Sequence, residues 1–179
     1  MSTKVLTGKV RFSYCNISKA RAFSDGQNAK YSVCLLIPKS DKDTIKKIKD
    51  AIQNEIQEGT ASLWGGKTPA NLKNPLRDGD VERPELPEYE GMYFINAASN
   101  QQPGVVDRNK QDILDLSEVY SGCYGRASIN LYAFNRNGNK GIAAGLNNLM
   151  KLCDGPRLGG GRIAAEDDFD DDFEDEDEI

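Results

Sequence analysis

CYGRASINLYAFN, residues 123–135, carries the pattern on which the fold turns. Its odd positions Ala127, Ile129, Leu131 and Ala133 are apolar, while its even positions are Tyr124, Arg126, Ser128, Asn130, Tyr132 and Phe134. A period of two puts these sets on opposite faces of an extended chain, so the segment predicts a β-strand with its odd face toward a core. Asn137-Gly138 follows, the dipeptide a tight hairpin needs because its central residues take positive φ. KGIAAGLNNLMK at 140–151 is then read as the returning partner strand, with a helix from Ala143 onward as the alternative.

Working outward, KVLTGKVRFSY at 4–14 reads as a strand, with Val10, Phe12 and Tyr14 on one face and Lys9, Arg11 and Ser13 on the other. Asp25-Gly26 marks a turn, and KYSVCLLI at 30–37 reads as a second, more buried strand ended by Pro38. Ser40 or Asp41 can cap a helix over about 41–58, in which Ile45, Ile48, Ile52 and Ile56 form one apolar stripe. Gly59 is the natural residue to end it. Lys46, Lys47 and Lys49 belong to its solvated side. Residues 60–90 hold Pro69, Pro75, Pro84 and Pro87 among glycines and charges, and predict a long ordered loop of the kind that binds something. GMYFINAA at 91–98 and Val105-Val106 add strand-like pieces. The class that fits is mainly β, a small barrel or sandwich with one amphipathic helix.

The chain has 179 residues, 23 Lys+Arg, 28 Asp+Glu and a formal net charge of -5, but the charge is divided. EDDFDDDFEDEDEI at 166–179 holds 11 acidic side chains and no basic one, which leaves 17 acids against 23 bases elsewhere, a net of +6. A basic body favours polyanions, and an acidic tail competes with them. The division of the chain is therefore a body over 1–157, a Gly-rich linker over 158–165 and a disordered acidic tail over 166–179. The four cysteines form no CxxC pair and read as reduced packing residues. The absence of histidine removes the commonest general base and metal ligand. Neither GxGxxG nor a P-loop motif occurs. The expectation is a protein without catalytic residues, cofactor or metal. No apolar run is long enough to span a bilayer, so the chain is expected to be soluble, with no membrane contact.

The even face of 123–135 carries the most chemistry. Tyr124, Arg126, Tyr132 and Phe134 interleave rings with a cation, which suits stacking of bases and pairing with phosphates on a single strand; in many β domains such a stripe is simply core. Trp64 reads equally as a core anchor or as a stacking platform with Lys67, Lys73 and Arg77. Lys9 and Arg11 are candidate phosphate contacts. Phe169, Phe173 and Ile179 are apolar anchors within the tail. A competing reading takes Asp78, Asp80 and Glu82, with Asp107, Asp112 and Asp115, as carboxylates that hold Mg²⁺ for phosphodiester hydrolysis; ordinary turn chemistry is favoured over it. A third reading makes the protein an acidic-tail DNA mimic that binds a basic protein.

Taken in order, GKVRFSY (8–14), YSVCLLIPKSDKDTIKKIKDAI (31–52), NPLRDGD (74–80), YEGMYFINAAS (89–99), YSGCYGRASINLYAFNRNGNKGIAAGLNNLMK (120–151) and DGPRLGG (154–160) resemble a family of phage single-stranded-DNA-binding proteins with an OB-fold. The layout is also similar to that of the T7-type helix-destabilising protein. The resemblance implies a five-stranded Greek-key barrel that binds single-stranded DNA across one face, in phage DNA replication or recombination, in the cytoplasm of an infected bacterium. It implies a tail that occupies the DNA groove or contacts phage or host replication proteins such as a polymerase or helicase-primase; a homodimer is one assembly open to it. T7-type tails usually end in an aromatic residue, whereas this one ends Glu178-Ile179, so that anchoring falls to Phe169 and Phe173.

Overall fold

The computed structural model describes residues 4–21, 29–136 and 138–158. Along the chain run β1 (Lys4–Leu6), β2 (Val10–Arg21), β3 (Lys30–Pro38), α1 (Lys42–Ser62), β4 (Arg77–Asp78), α2 (Gly79–Glu82), β5 (Met92–Ser99), β6 (Gly104–Val106), β7 (Tyr124–Arg136) and β8 (Asn139–Cys153). Short 3-10 turns stand at Pro87–Tyr89 and Leu116–Glu118.

Five strands close into a ring. β2 pairs with β3, and β3 with β5, all antiparallel. β5 runs parallel to β8, β8 returns antiparallel to β7, and β7 meets β2 to complete the circuit. β1, β4 and β6 extend β7, β5 and β8 respectively. Inside the ring lie Val10, Phe12, Val33, Leu35, Ile37, Ile95, Ala97, Ala127, Ile129, Leu131, Ala144, Leu146 and Leu149, all buried. The β7 alternation holds over most of 126–132: Ala127, Ile129 and Leu131 face inward and Arg126, Asn130 and Tyr132 are exposed, but Ser128 is buried where β8 bulges, and Ala133 and Phe134 are both half-buried. Residues 139–153 form the strand β8, so the helical alternative does not occur.

Three expectations are corrected. Residues 4–14 form two strands, interrupted at Thr7–Lys9, where Gly8 N–H donates to Thr44 Oγ1 and ties the break to α1. Tyr14 does not share the core face of Val10 and Phe12. It adopts φ 46° where the β2–β3 register shifts between Ser13 and Asn16, and its ring is 44% exposed while Ser13 is buried. A bulge of this kind re-aims one side chain without moving the rest of the strand. Finally, α1 is capped by Asp41, which accepts from Thr44 N–H at 3.2 Å, but it runs through Gly59 to Ser62. Gly59 is there for close approach: a Cβ at that position would lie 2.9 Å from both Ala133 Cβ and the Trp64 ring. Three expectations fall outside the described residues: the Asp25-Gly26 turn, the Gly-rich linker beyond Leu158, and the acidic tail with Phe169, Phe173 and Ile179.

Gly59→Val should therefore destabilise the protein by roughly 1–3 kcal/mol through overpacking, measured by urea unfolding. An unchanged midpoint would mean that α1 can slide on β7.

Candidate nucleic-acid interface

The outward face of the ring is organised in rows set by strand register. One row crosses five strands: Tyr124 lies opposite Arg11, Arg11 opposite Leu36, Leu36 opposite Phe94, and Phe94 opposite Arg77. Four strand spacings make this band about 19 Å wide. Cations cluster on its rings. Lys9 Nζ and Arg11 Cζ stand 5.0 and 5.4 Å from the Tyr124 centroid, and Arg77 and Arg83 stand 5.3 and 5.6 Å from that of Phe94. Arg11 is held in place, Nε donating to Gly122 O at 3.0 Å and Nη2 to Pro156 O at 2.6 Å.

Beside this band a cleft of about 510 Å³ opens over β2, β3 and β5. Tyr14 and Asn16 come from β2, Ser32 and Cys34 from β3, and Phe94 and Asn96 from β5. Arg83 and Tyr89 come from the segment that follows α2. Tyr89 meets Phe94 edge to face at 5.1 Å and, with Cys34 and Leu36, makes a small apolar cluster outside the ring. Burial pushes the Cys34 thiol up to about 11 and raises the Tyr89 phenol as well. Both stay neutral at physiological pH, so the floor adds no anion beneath the Arg83 cation. Tyr14 supplies the exposed ring. A non-glycine residue at positive φ is strained, and such strain is tolerated where a side chain must be presented.

The covering segment is pinned by charge. Lys39 Nζ contacts Asp78 Oδ1 and Asp80 Oδ2, each at 2.7 Å, and Asp80 Oδ1 accepts from Gly91 N–H at 3.0 Å. Glu82 pairs with Arg77. Asp107 and Asp115 cap local turns, accepting from the backbone of Asn109 and Ser117. Asp78, Asp80, Glu82, Asp107 and Asp115 are thus employed in ion pairs and turns, while Asp112 stands in a backbone bridge to Val106. Among the described residues no group of three or more Cys, Asp or Glu is placed to hold a metal. No described helix is long and apolar enough to cross a membrane.

Of the residues singled out from sequence, Lys9, Arg11 and Tyr124 come together, and Arg77 joins their row through Phe94. The others lie elsewhere. Trp64 is only 5% exposed, its Nε1–H donating to Phe134 O at 3.2 Å, which is the core-anchor arrangement. Lys73 pairs its backbone with the β7–β8 hairpin through Lys140 O and Ile142 N–H. Phe134 is half-buried with Arg136 5.9 Å from its ring, and Lys67 is exposed in the loop after α1. Arg126 is exposed with Nε bonded to Thr7 O, and Tyr132 points outward. Sequence reasoning missed Tyr14 as an outward residue, together with Arg83, Tyr89, Phe94 and Asn96. In MYFINAAS only Asn96, polar between the apolar Ile95 and Ala97, carried a signal for the outward face that Phe94 shares; a bulge at Tyr14 has no sequence signature.

A five-strand ring with one parallel pairing and a cation- and aromatic-lined cleft across three strands is the build of the OB-fold, whose members take oligonucleotides or oligosaccharides on that face. The chain belongs to the family of the Enterobacter phage Enc34 ssDNA-binding protein, whose profile matches residues 3–179. It is 34% identical to a protein called p50 of Acyrthosiphon pisum secondary endosymbiont phage 1, over 94% of this chain and 93% of that one. The single-stranded DNA-binding protein of bacteriophage Enc34, solved in complex with ssDNA, is similar with a TM-score of 0.77 and 30% identity, covering 88% of this chain and 90% of that one. Bacteriophage T7 gp2.5, a single-stranded DNA-binding protein, shares the fold with a TM-score of 0.64 at 14% identity, over 97% and 98% of the two chains.

Hydrogen bonds from Lys39 hold the Asp78 and Asp80 carboxyls below the usual carboxylate range. A depressed folded pKa gives stability that is present above the unfolded value of about 3.9 and lost as pH falls through the folded one. Asp80→Asn should accordingly unfold at lower urea than the parent at pH 7, with the two midpoints drawing together as the pH is lowered from about 3.9 through the depressed folded value. Midpoints that stay equally far apart would show that the ion pair is not the source.

Proposed function

We propose that this protein binds single-stranded DNA without sequence preference, and without catalysis, on the outer face of β2, β3 and β5. The observation that carries the reading is the registered row Tyr124–Arg11–Leu36–Phe94–Arg77 beside the Tyr14 cleft. The exposed Tyr14 ring and the half-buried Tyr124 ring offer bases a stacking surface over a buried floor of Leu36, Tyr89 and Phe94, and Lys9, Arg11 and Arg83 offer phosphates their counter-charge, while Arg77 is paired with Glu82. Membership of the Enc34 family and the likeness to a relative solved with ssDNA support it. The role is in phage DNA replication or recombination, in the cytoplasm of the infected host. Tyr132, Phe134, Arg126, Lys67 and Lys73 lie off the cleft and serve, in this reading, a strand that extends beyond it.

The acidic tail acts as an internal competitor and partner handle. The described chain runs to Leu158, which packs against the apolar cluster at the cleft, just after Pro156 accepts from Arg11. Eleven acids therefore begin only a few residues from the cations they would mimic DNA for. Once displaced, the tail is available to a polymerase or helicase-primase, with Phe169, Phe173 and Ile179 as its anchors.

Titration with oligo-dT, followed by fluorescence at several salt concentrations, tests this. Tyr14→Ala should cost about 1–3 kcal/mol of affinity while Tyr14→Phe retains it. Lys9→Ala should flatten the log K against log salt slope by about 0.7. Absence of saturable binding by the parent protein would overturn the proposal. Removing residues 166–179 should tighten binding at low salt, and unchanged affinity there would leave the tail as a partner handle only.

A further inference from the structure

A second concavity of about 410 Å³ lies on the outer side of β7 and β8, bordered by Lys4, Ser99, Gln101, Asn130, Asn147 and Asn148. Its lining is almost wholly amide and hydroxyl. Asparagine is disfavoured inside strands, yet three of them stand mid-strand here. Asn147 is the extra residue of a bulge, since Ser128 pairs with Asn148 and the next residue, Ile129, with Leu146. Bulges of this kind re-aim side chains beside functional sites.

Two of these amides are only loosely engaged. Asn130 Nδ2 is 3.5 Å from Asn147 Oδ1, and Asn147 Nδ2 is 3.4 Å from Ser128 Oγ, both at the outer limit of hydrogen bonding. Neighbouring amides are firmly used: Asn148 Oδ1 accepts from Gly104 N–H at 3.1 Å, and Gln102 Nε2 donates to Ile17 O at 3.0 Å. The weakly held pair keeps its capacity for something else.

Strand register joins this concavity to the cleft. Asn16 lies opposite Ser32, Ser32 opposite Ala98, Ala98 opposite Gly145, Gly145 opposite Asn130, and Asn130 opposite Lys4. The row begins in the cleft at Asn16 and ends in the amide concavity. Ala98 and Gly145 between them have almost no side chain, and the exposed Tyr132 ring borders the path, 3.7 Å from where a Cβ on Gly145 would lie.

We infer that the concavity is a second nucleotide subsite, in which Asn130 and Asn147 hydrogen-bond the base edges of the strand leaving the Tyr14 cleft. An Asn amide offers a donor and an acceptor side by side, as base edges require. Asn130 and Asn147 are uncharged, so their contribution is insensitive to salt, unlike that of Lys9, Arg11 or the Lys4 that borders the concavity. This rests on the single-strand reading above.

The test compares a short dT oligomer that fills the cleft alone with a long one of roughly 16 nucleotides, on the full chain. The variants are Asn130→Thr and Asn147→Thr, because threonine favours strands and preserves the fold. Each should weaken the long oligomer by roughly 2–10-fold with the salt slope unchanged, and leave the short one alone. Abasic residues at the end that reaches the concavity should reproduce the loss in the parent and add nothing in the variants. If Tyr14→Ala weakens both oligomers but the threonine variants weaken neither, or weaken both equally, the second subsite is overturned and the cleft stands. If the parent binds neither, the single-strand reading itself has failed.

Discussion

The whole architecture depends on a narrow seam. β2 and β7 share only two registered pairs, Val10 with Gly125 and Arg11 with Tyr124, and these turn a curved sheet into a closed ring. The seam is tight because of Gly125: a Cβ there would come within 2.6 Å of the Phe12 ring, which is itself fully buried. Phe12 N–H donates to Cys123 O at 2.9 Å and lengthens the contact by one rung. Arg11 then ties the same point to Gly122 and Pro156. One arginine thereby staples the ring and belongs to the cationic face.

That double use explains how the face is built. Its cations come from four places in the chain, Lys9 before β2, Arg11 in β2, Arg77 in β4 and Arg83 after α2, and the registered row supplies the two rings on which they meet. Arg77 comes from a two-residue strand added to β5, and Arg83 from the segment after α2; both reach Phe94. The Lys39 ion pairs set the angle at which that segment leaves the sheet, and Gly79 permits it, since a Cβ there would lie 2.6 Å from Tyr89 O. The buried Cys34 and Tyr89 stay uncharged beneath. The result is a neutral floor beneath the Arg83 cation.

Much of the fold was legible in the sequence, because period two in 123–135 and the isoleucine stripe in 45–56 are local signals. The main helix α1, the long β7 and the β3 strand all follow from such patterns. What escaped depends on partners distant in the chain. Gly59 looked like a helix end, but its meaning lies in Ala133 and Trp64. Tyr14 looked inward by alternation, and only a bulge against β3 turns it out. The candidate site was legible in part for the same reason: Lys9, Arg11, Tyr124 and Arg77 were visible as chemistry, while the row that joins the last three is a fact of register. Trp64 drew attention as a lone ring, and burial against α1 and β7 claimed it instead.

The parallel pairing of β5 with β8 also sets the order in which the molecule can form. β2, β3 and β5 are complete by Ser99 and can pair as a meander, yet β7 and β8 lie beyond residue 123. Until that hairpin appears, the meander has two open edges and its apolar face is uncovered. Closure then requires Ala97 to meet Ala144 and Val10 to meet Gly125, contacts far apart in sequence, which makes them slow. During synthesis the nascent chain carries an unfinished sheet for some fifty residues, the stage at which exposed edges invite mispairing.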